Sequence, residues 1–318
     1  MKLLIASAID PQTIEALKTQ HEVVCAFSPS GEALKQHIAD REVLIFRSGV
    51  SISSEVMTAA PQLKLIIRAG SGFDNIDVEH AKWRGIRLVR IPGPGAQAVA
   101  EMAFALMLGL SRRVLEADRL WRLGRWMKTE MTGFNLHGKT LGIVGCGNIG
   151  TRVGQLGAAW GMNVLGCVEH ESPNVAANLH KHNITLKPFR EILAEADFLS
   201  IHVPLKDSTR NLINSDTLAV MKRGAFLVNL ARGGVVHEAA LLRALSEGQV
   251  RGAGLDVHEK EGDGKISILA GLPNVILTPH IGASTVDAQR EIGLHIMRIM
   301  AAFIAGDPTL GSAENCVM

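Results

Sequence analysis

The sequence predicts an α/β protein with two doubly wound domains, each built on a parallel sheet. Short apolar runs alternate with capped helical stretches along nearly the whole chain, and this alternation is typical of parallel sheets covered by helices on both faces. The length of 318 residues favours two domains, since a domain averages roughly 150 residues. One sheet would not comfortably hold all the strands that the apolar runs predict.

The first part of the chain, up to residue 90, predicts a regular series of β-α units. Asp10 is placed to cap the first helix, and Pro11 follows at the first helical position, where its missing N–H costs nothing. Ser30, Ser53 and Asp77 are the predicted caps of later helices. The predicted strands are residues 2–6, 21–25, 42–46, 63–68 and 86–89.

The regular series of β-α units is interrupted after residue 90. Two prolines and two glycines within residues 91–95 are typical of a linker. Residues 97–120 then predict one long helix with apolar residues on more than one side. Because a helix that is apolar all round is buried, we expect this helix to be covered at a domain joint or by a second copy of the chain.

The second series of alternating elements begins at Lys139. Gly150, Phe189, Ser215 and His237 lead its predicted helices, and a last helix is predicted over residues 283–304. The predicted strands are residues 141–144, 163–167, 198–201, 226–229, 253–256 and 275–277.

Charge and cysteine usage exclude several kinds of partner. The 33 lysines and arginines nearly balance the 31 aspartates and glutamates, and without long runs of like charge neither a nucleic-acid partner nor a membrane surface is predicted. The four cysteines form no C-x-x-C pair, so no metal site is predicted, and scattered free thiols favour a reducing cytosol. These cysteines are Cys25, Cys146, Cys167 and Cys316. The first apolar stretch ends at Asp10 without a small-residue cleavage site, which favours a strand over a signal peptide and a cytoplasmic protein.

A glycine-rich loop joins the first strand of the second series to its helix. The loop is Gly145-Cys146-Gly147-Asn148-Ile149-Gly150, a G-x-G-x-x-G pattern. In such a loop the first glycine makes a tight turn, the second leaves room for a pyrophosphate, and the third lets the helix pack close to the strand. Free N–H groups at the helix N-terminus attract the phosphates. The loop therefore predicts a dinucleotide site.

The residues after the next strand favour NAD over NADP. An acid about 20 residues beyond such a loop usually holds the ribose hydroxyls. The expected position is Val168, with Glu169 directly after it and Glu171 two residues further on. This stretch contains no Arg or Lys that could bind a 2′-phosphate, so we expect Glu169 to hold the ribose and to repel NADP.

Three further segments follow strands of the second series and carry reactive side chains. The carboxyl ends of parallel strands lie at one edge of a sheet, where such sheets bind ligands. An arginine, a carboxylate and a histidine converging there can bind a carboxylate substrate and move a proton. The segments are Asn229-Leu230-Ala231-Arg232-Gly233-Gly234, Asp256-Val257-His258-Glu259-Lys260-Glu261 and Thr278-Pro279-His280-Ile281-Gly282.

These motifs together resemble the D-isomer-specific 2-hydroxyacid dehydrogenase family, and within it the D-3-phosphoglycerate dehydrogenase branch. The resemblance covers nearly the whole chain, and several motifs in family order make it specific. Besides the glycine loop and the three segments it includes Ala69-Gly70-Ser71-Gly72-Phe73-Asp74-Asn75-Ile76-Asp77, Val99-Ala100-Glu101, Gly124-Arg125-Trp126 and His202-Val203-Pro204-Leu205.

The resemblance implies a Rossmann cofactor domain, residues 94–282, inserted into a flavodoxin-like substrate domain made of residues 1–93 and 283–318, with the substrate in the cleft between them. It implies NAD as cofactor and hydride transfer between nicotinamide and C2 of a D-2-hydroxy acid or 2-keto acid. It also implies a homodimer formed through the long helix from Gln97. Because the chain stops soon after its last helix, a short form without a regulatory domain is expected.

Single residues receive roles from the same resemblance. Arg232 is expected to bind the carboxylate or keto oxygen of the substrate, His280 to act as acid and base, and Glu261 to hydrogen-bond His280. Backbone N–H groups of Ser71 and Gly72 are expected to help hold the carboxylate. Cofactor contacts are expected from Gly145, Gly147, Asn148, Ile149, Gly150, Glu169, His202, Val203, Pro204, Thr209, Leu230, Ala231, Arg232, Asp256, His280 and Gly282.

Departures from the family pattern leave alternatives open. Glu259 competes with Glu261, because Gly262 stands where the family usually has proline. His258 stands where an aromatic Phe is common, and Gly95 where many relatives carry Asn. Phosphoglycerate, hydroxypyruvate, glyoxylate and longer 2-keto acids are all open as substrates. The second function class is a non-enzymatic NAD-sensing protein like the C-terminal-binding-protein corepressors, for which no obvious partner-binding extension is found.

Overall fold

A computed structural model describes residues 1–47, 49–307 and 310. Its strands form two sheets in which every pairing is parallel, which confirms the predicted fold class. The strands are Lys2–Ile5 (β1), Glu22–Cys25 (β2), Val43–Phe46 (β3), Leu65–Arg68 (β4), Arg87–Arg90 (β5), Thr140–Val144 (β6), Asn163–Cys167 (β7), Thr185–Leu186 (β8), Phe198–Ile201 (β9), Ala225–Asn229 (β10), Val250–Leu255 (β11) and Val275–Leu277 (β12).

Helices lie between these strands and after the last of them. Two elements, β8 and the helix before it, have no counterpart in the sequence prediction, since a two-residue strand is too short to give an apolar run. The helices are Pro11–Lys18 (α1), Gly31–Ile38 (α2), Ser54–Thr58 (α3), Val78–Trp83 (α4), Gly95–Ser111 (α5), Val114–Arg122 (α6), Asn148–Ala159 (α7), Pro173–Lys181 (α8), Phe189–Glu195 (α9), Ser215–Val220 (α10), Glu238–Ser246 (α11) and Val286–Ile304 (α12).

The chain divides into two compact units, of which the first is Met1–Gly95 with the segment from Ser284. Its sheet has the order β2-β1-β3-β4-β5, which is the flavodoxin-like strand order. Strands β3 and β4 are buried along their whole length, because helices cover both faces of the sheet. This explains why β3 and the first three residues of β4 are all apolar. From α12, Ile292, Ile296 and Met300 complete the core on one face.

The second unit is Ala96–Ala283, and its sheet has the order β12-β11-β10-β9-β6-β7-β8. Counted from β6, this is the Rossmann order 3-2-1-4-5-6 with one more strand at the edge. The neighbours β6 and β9 are not consecutive in the chain, so the direction of strand addition reverses between them. In such sheets a ligand binds in the crevice at the carboxyl ends of the strands beside this reversal.

The stretch predicted as one helix over residues 97–120 is two helices. Helix α5 begins at Gly95, inside the predicted linker, and Arg113, between α5 and α6, has a φ of +52°. Residues Phe104, Leu106 and Met107 of α5 are buried in the apolar core of the second unit. The apolar core of its own unit therefore covers much of this helix, and its part in a dimer stays a prediction.

The described cysteines carry free thiols; Cys146 lies in the glycine loop and Cys167 ends strand β7. Burial raises the pKa of Cys146 to about 12 and also raises the pKa of Cys167, so both are protonated and unreactive at neutral pH. Cys25 is exposed, and Cys316 lies outside the described residues. No helix in the described part of the chain is both long and apolar enough to cross a membrane.

Candidate active site

One edge of the second sheet carries the predicted cofactor and acid–base residues. Because all its strands are parallel, the loops that follow them lie at the same edge. At one end of this edge, His280 and Gly282 follow β12, Glu261 follows β11, and Leu230 to Arg232 follow β10. Toward the other end, His202 to Thr209 follow β9, Gly145 to Gly150 follow β6, and Glu169 follows β7. The reactive side chains therefore lie at one end of this edge and the dinucleotide elements at the other.

His280 and Glu261 form a hydrogen-bonded pair, with His280 Nδ1 3.0 Å from Glu261 Oε2. An ionised carboxylate can only accept, so Nδ1 carries a proton and Nε2 is left to exchange one with a substrate. Burial by itself would raise the pKa of Glu261. The hydrogen bond and charge of His280, with the backbone N–H of His258, outweigh burial and lower this pKa below its usual value. Glu261 is therefore ionised at neutral pH.

A buried carboxylate holds the backbone on both sides of His280. Asp256 Oδ1 accepts from the hydroxyl of Thr278 at 2.6 Å and from the N–H of Ile281 at 2.9 Å, while Oδ2 accepts from the N–H of Gly282 at 2.7 Å. His280 has a φ of +57°, a conformation that few non-glycine residues adopt. Asp256 is 2 % exposed, so its bonds are shielded from water and fix this backbone. The predicted contact of Asp256 with the cofactor stays a prediction.

Glu261, and not its competitor Glu259, is the acid that pairs with His280. Glu259 Oε1 accepts from the N–H of Glu238 at 2.9 Å, and Glu238 Oε1 accepts from the N–H of Glu259 at 2.8 Å. These reciprocal bonds tie the loop after β11 to the first turn of α11. Glu259 therefore has a structural partner in a different direction from His280.

His258, which departs from the family pattern, contacts both sides of the acid–base pair. Its Nε2 lies 2.9 Å from the carbonyl oxygen of Thr278, two residues before His280. Its backbone N–H donates to Glu261 Oε1 at 3.2 Å. Since a carbonyl only accepts, Nε2 of His258 is the protonated nitrogen of the ring. The histidine thus supplies a hydrogen bond that phenylalanine could not.

Arg232 follows β10 in a turn that Asn229 holds. Asn229 Oδ1 accepts from the N–H of Ala231 at 3.0 Å, and its Nδ2 donates to the carbonyl oxygen of Arg232 at 3.1 Å. Arg232 Nη1 donates to the carbonyl oxygen of Ala231 at 2.7 Å, and the residue is partly exposed. The turn therefore places a permanently charged group at the same edge as His280. Sequence analysis quoted Asn229 in this segment but gave it no role. The signal for such a role was a polar residue at the end of an apolar strand.

The glycine loop fits a dinucleotide pyrophosphate. Gly145 has a φ of +96°, and a Cβ on Gly150 would lie 2.1 Å from the carbonyl oxygen of Gly145, so α7 can start this close to β6 only with glycine there. A Cβ on Gly147 would meet no protein atom within 4 Å, so the space beside the N-terminus of α7 is open. Asn148 and Ile149 begin that helix, whose first N–H groups attract phosphate.

The loop after β9 packs against the glycine loop. Nε2 of His202 lies 2.7 Å from the hydroxyl oxygen of Ser200, and burial lowers the pKa of His202 to about 3, so the ring is neutral. Thr209 donates its hydroxyl to the carbonyl oxygen of Pro204 at 2.6 Å and accepts from the N–H of Lys206 at 2.8 Å. These bonds fix the shape of the loop, and Val203 lies against Gly145.

Glu169 is paired with a lysine that its own stretch of sequence does not contain. Lys206 Nζ lies 2.9 Å from Glu169 Oε2, and about half of each side chain is exposed. The hydrogen bond and charge of Lys206 lower the pKa of Glu169. The stretch around Glu169 contains no Arg or Lys, but the loop after β9 brings Lys206 to it.

Ser71 and Gly72 belong to the first unit, where they follow the carboxyl end of β4. The Nε of Arg68 donates to the carbonyl oxygen of Gly72 at 3.0 Å. Arg68 is 7 % exposed, and its guanidinium lies 5.7 Å from the centroid of the Phe46 ring. This bond ties the Ser71–Gly72 loop to the sheet. The joint action of this loop with residues of the second unit stays a prediction.

Comparisons with known proteins identify the family of the chain. Residues 104–282 match the model described as D-isomer specific 2-hydroxyacid dehydrogenase, NAD binding domain. The chain is 40% identical over 305 residues to D-3-phosphoglycerate dehydrogenase of Mycobacterium tuberculosis, covering 96% of this chain and 57% of that relative. The chain thus spans little more than half the length of that relative.

Two further matches cover nearly all of both proteins. The hydroxypyruvate reductase of Thermotoga maritima is 38% identical over 292 residues, which is 91% of this chain and 94% of that protein. The crystal structure of D-lactate dehydrogenase from Aquifex aeolicus, complexed with NAD and lactic acid, superposes with a TM-score of 0.87 at 31% identity, covering 99% of this chain and 98% of the other. The chain therefore belongs to the D-isomer-specific 2-hydroxyacid dehydrogenase family.

Proposed function

We propose that the protein is an NAD-dependent oxidoreductase that transfers a hydride between nicotinamide and C2 of a D-2-hydroxy acid or its 2-keto acid. The observation that carries this proposal is the 3.0 Å pair of His280 and Glu261, at the same sheet edge as Arg232 and the glycine loop. Family membership and the matched NAD-binding domain support it. In this proposal the second unit binds NAD and the first is the substrate domain.

The chain's own residues bind the acid and move the proton. Arg232 binds the carboxylate or the keto oxygen of the substrate through its fixed charge and paired donors. When bound, the nicotinamide supplies or accepts the hydride. During reduction, protonated His280 gives its Nε2 proton to the oxygen on C2. During oxidation, the neutral ring takes the hydroxyl proton. Ionised Glu261 stabilises the imidazolium and orients the ring.

The Ser71–Gly72 loop of the first unit is proposed to help hold the substrate carboxylate. Backbone N–H groups are strong donors to carboxylate oxygens, and a loop tied to its sheet presents them without a large loss of entropy. The bond from Arg68 to Gly72 supplies that rigidity.

A substrate panel tests the proposed activity. Loss of NADH absorbance is measured with phosphohydroxypyruvate, hydroxypyruvate, glyoxylate, pyruvate and longer 2-keto acids, and the configuration of each chiral product is determined. We expect turnover of at least one of these acids, with a D-2-hydroxy product from any of them except glyoxylate, whose product glycolate is achiral. Binding of NADH without turnover of any acid would contradict the proposed enzymatic activity and favour the non-enzymatic NAD-sensing alternative. An L-product would contradict the proposed geometry.

We further propose a homodimer, formed through α6 and the segment after it. Exposed apolar side chains are concentrated there, and a patch of this kind on a surface marks an interaction site. The rings of Trp121 and Trp126 pack at a centroid distance of 5.0 Å. The apolar side chains of this segment that are more than half exposed are those of Val114, Leu115, Trp121, Leu123 and Trp126.

Sedimentation tests the homodimer. At micromolar concentration we expect twice the mass of one chain, and Trp121→Glu with Trp126→Glu is expected to give a monomer. The control is Trp83→Glu, which changes a still more exposed tryptophan of the first unit. A monomeric wild-type protein would contradict the proposed dimer.

A further inference from the structure

We propose that Lys206 helps to determine whether the protein binds NAD or NADP. It acts at the adenosine ribose, where its charge is balanced by the ion pair with Glu169. This proposal rests on the proposed NAD site. The loops that carry the two residues flank the glycine loop, because β7 and β9 are the neighbours of β6 on either side. The contact of 2.9 Å between Lys206 Nζ and Glu169 Oε2 therefore joins the two sides of the dinucleotide crevice.

The distance places Lys206 within reach of a 2′-substituent. A carboxylate oxygen that accepts from the ribose 2′-hydroxyl lies about 2.7–3.0 Å from it. Since Lys206 Nζ lies 2.9 Å from Oε2 of Glu169, the ammonium is within about 6 Å of a hydroxyl oxygen that donates to this same Oε2. The flexible four-carbon stem of lysine can close this distance to a phosphate attached at that position. Lysine is a common phosphate ligand in proteins.

Backbone contacts fix the position from which the lysine acts. The N–H of Lys206 donates to the hydroxyl of Thr209, which in turn donates to the carbonyl oxygen of Pro204. The Cα of Lys206 is therefore held in place, and only its side chain has to move. The ion pair itself is half exposed, and exposed pairs are weak, so the ammonium is readily released from Glu169.

The two charges act in opposite directions on a 2′-phosphate. Glu169 repels it, and while paired with Lys206 it also cancels the charge that would attract it. Loss of the carboxylate removes the repulsion and leaves Lys206 uncompensated. The preference for NAD therefore depends on the pair, and the chain carries a latent site for the 2′-phosphate of NADP.

A double-mutant cycle tests this proposal through binding alone. Dissociation constants for NADH and NADPH are measured by fluorescence titration for wild type, Glu169→Gln, Lys206→Met and the double variant. Glu169→Gln is expected to strengthen NADPH binding relative to NADH by at least about 10-fold, the size expected from one charge-assisted hydrogen bond. In the Lys206→Met background the same change is expected to give about 3-fold or less.

Lys222→Met in the Glu169→Gln background is the matched control. Lys222 pairs with Asp197 at 2.8 Å and is as exposed as Lys206, but these two residues precede their strands and lie at the opposite sheet edge. The NADPH gain is expected to persist with this control and to shrink with rising salt. An equal gain in the Lys206→Met background would overturn the role of Lys206 while leaving the NAD site intact. Failure of wild type to bind NADH would overturn both proposals.

Discussion

The two ends of the same sheet edge are built differently. At the acid–base end, Arg232 and His280 stand on turns held by Asn229 and Asp256, which are 1 % and 2 % exposed. At the adenosine end, Glu169 and Lys206 are held by one half-exposed ion pair. Hydrogen bonds shielded from water are strong and mutually dependent, whereas exposed ion pairs are weak and screened by salt. The turns that carry Arg232 and His280 are therefore firmly held, whereas the contact proposed to set the choice of cofactor is weak.

The largest effect is expected from the histidine itself. His280→Ala removes the proposed proton donor, and general acid–base catalysis contributes at least about 10²-fold, so turnover at saturating NADH is expected to fall by that factor or more. His37→Ala, an exposed histidine of the first unit, is the control and is expected to keep full turnover. Full turnover by His280→Ala would show that His280 is not the proton donor, and the contrast between the two ends of the sheet edge would no longer hold.

A smaller effect is expected from the carboxylate that holds the His280 loop. Asp256→Asn replaces an oxygen that accepts from the backbone with an N–H₂ group, so at least one of its three bonds is lost and the free energy of unfolding is expected to fall by about 2 kcal/mol. Turnover is expected to fall by about 10-fold, because His280 loses its fixed position. Urea unfolding and steady-state kinetics measure these two quantities.

Asp263→Asn is the control for this substitution, since Asp263 is an exposed acid a few residues away in the same loop. It is expected to change neither stability nor turnover. If Asp256→Asn keeps wild-type stability and turnover, the buried carboxylate does not position His280, and the two ends of the edge are more alike than proposed.

The smallest effect on stability is expected at the adenosine end. Lys206→Met breaks the exposed pair with Glu169 and is expected to leave the midpoint of urea unfolding unchanged, because such pairs contribute little. The pKa of Glu169 is lowered by Lys206, so any contribution of the pair is present above the ordinary carboxyl pKa and is lost as pH falls through the lowered one. A clear drop in the midpoint at neutral pH would show that this end is as rigid as the other.

Much of the acid–base end was predictable because its signals are local. The glycine spacing, the strands before Arg232 and His280, and the rule that parallel strands end at one edge placed these residues correctly along the second sheet. The choice between Glu259 and Glu261 was not predictable from spacing, since it depends on how the loop after β11 turns back toward α11.

Contacts between distant segments could not be predicted from the sequence. Lys206 and Glu169 are 37 residues apart, and nothing in either stretch indicates that their loops meet across the glycine loop. The break between α5 and α6 at Arg113 was hidden for a different reason, since apolar periodicity continues through a single left-handed residue. Asp256 was recognised as a site residue, but its role in holding the loop around His280 became visible only from the hydrogen bonds.

The most direct test of the central claim is the pH dependence of 2-keto acid reduction by wild type and Glu261→Gln. In the proposed mechanism reduction needs a proton on Nε2 of His280, and its partner Glu261, whose pKa lies below the usual value, stabilises the protonated ring by its charge. A neutral glutamine lacks that charge, so the high-pH limb of the profile, where reduction fails, is expected to move to lower pH. Glu259→Gln is expected to leave the limb in place, because Glu259 pairs with the N–H of Glu238. A limb that stays in place in Glu261→Gln and moves in Glu259→Gln would contradict the proposed pair.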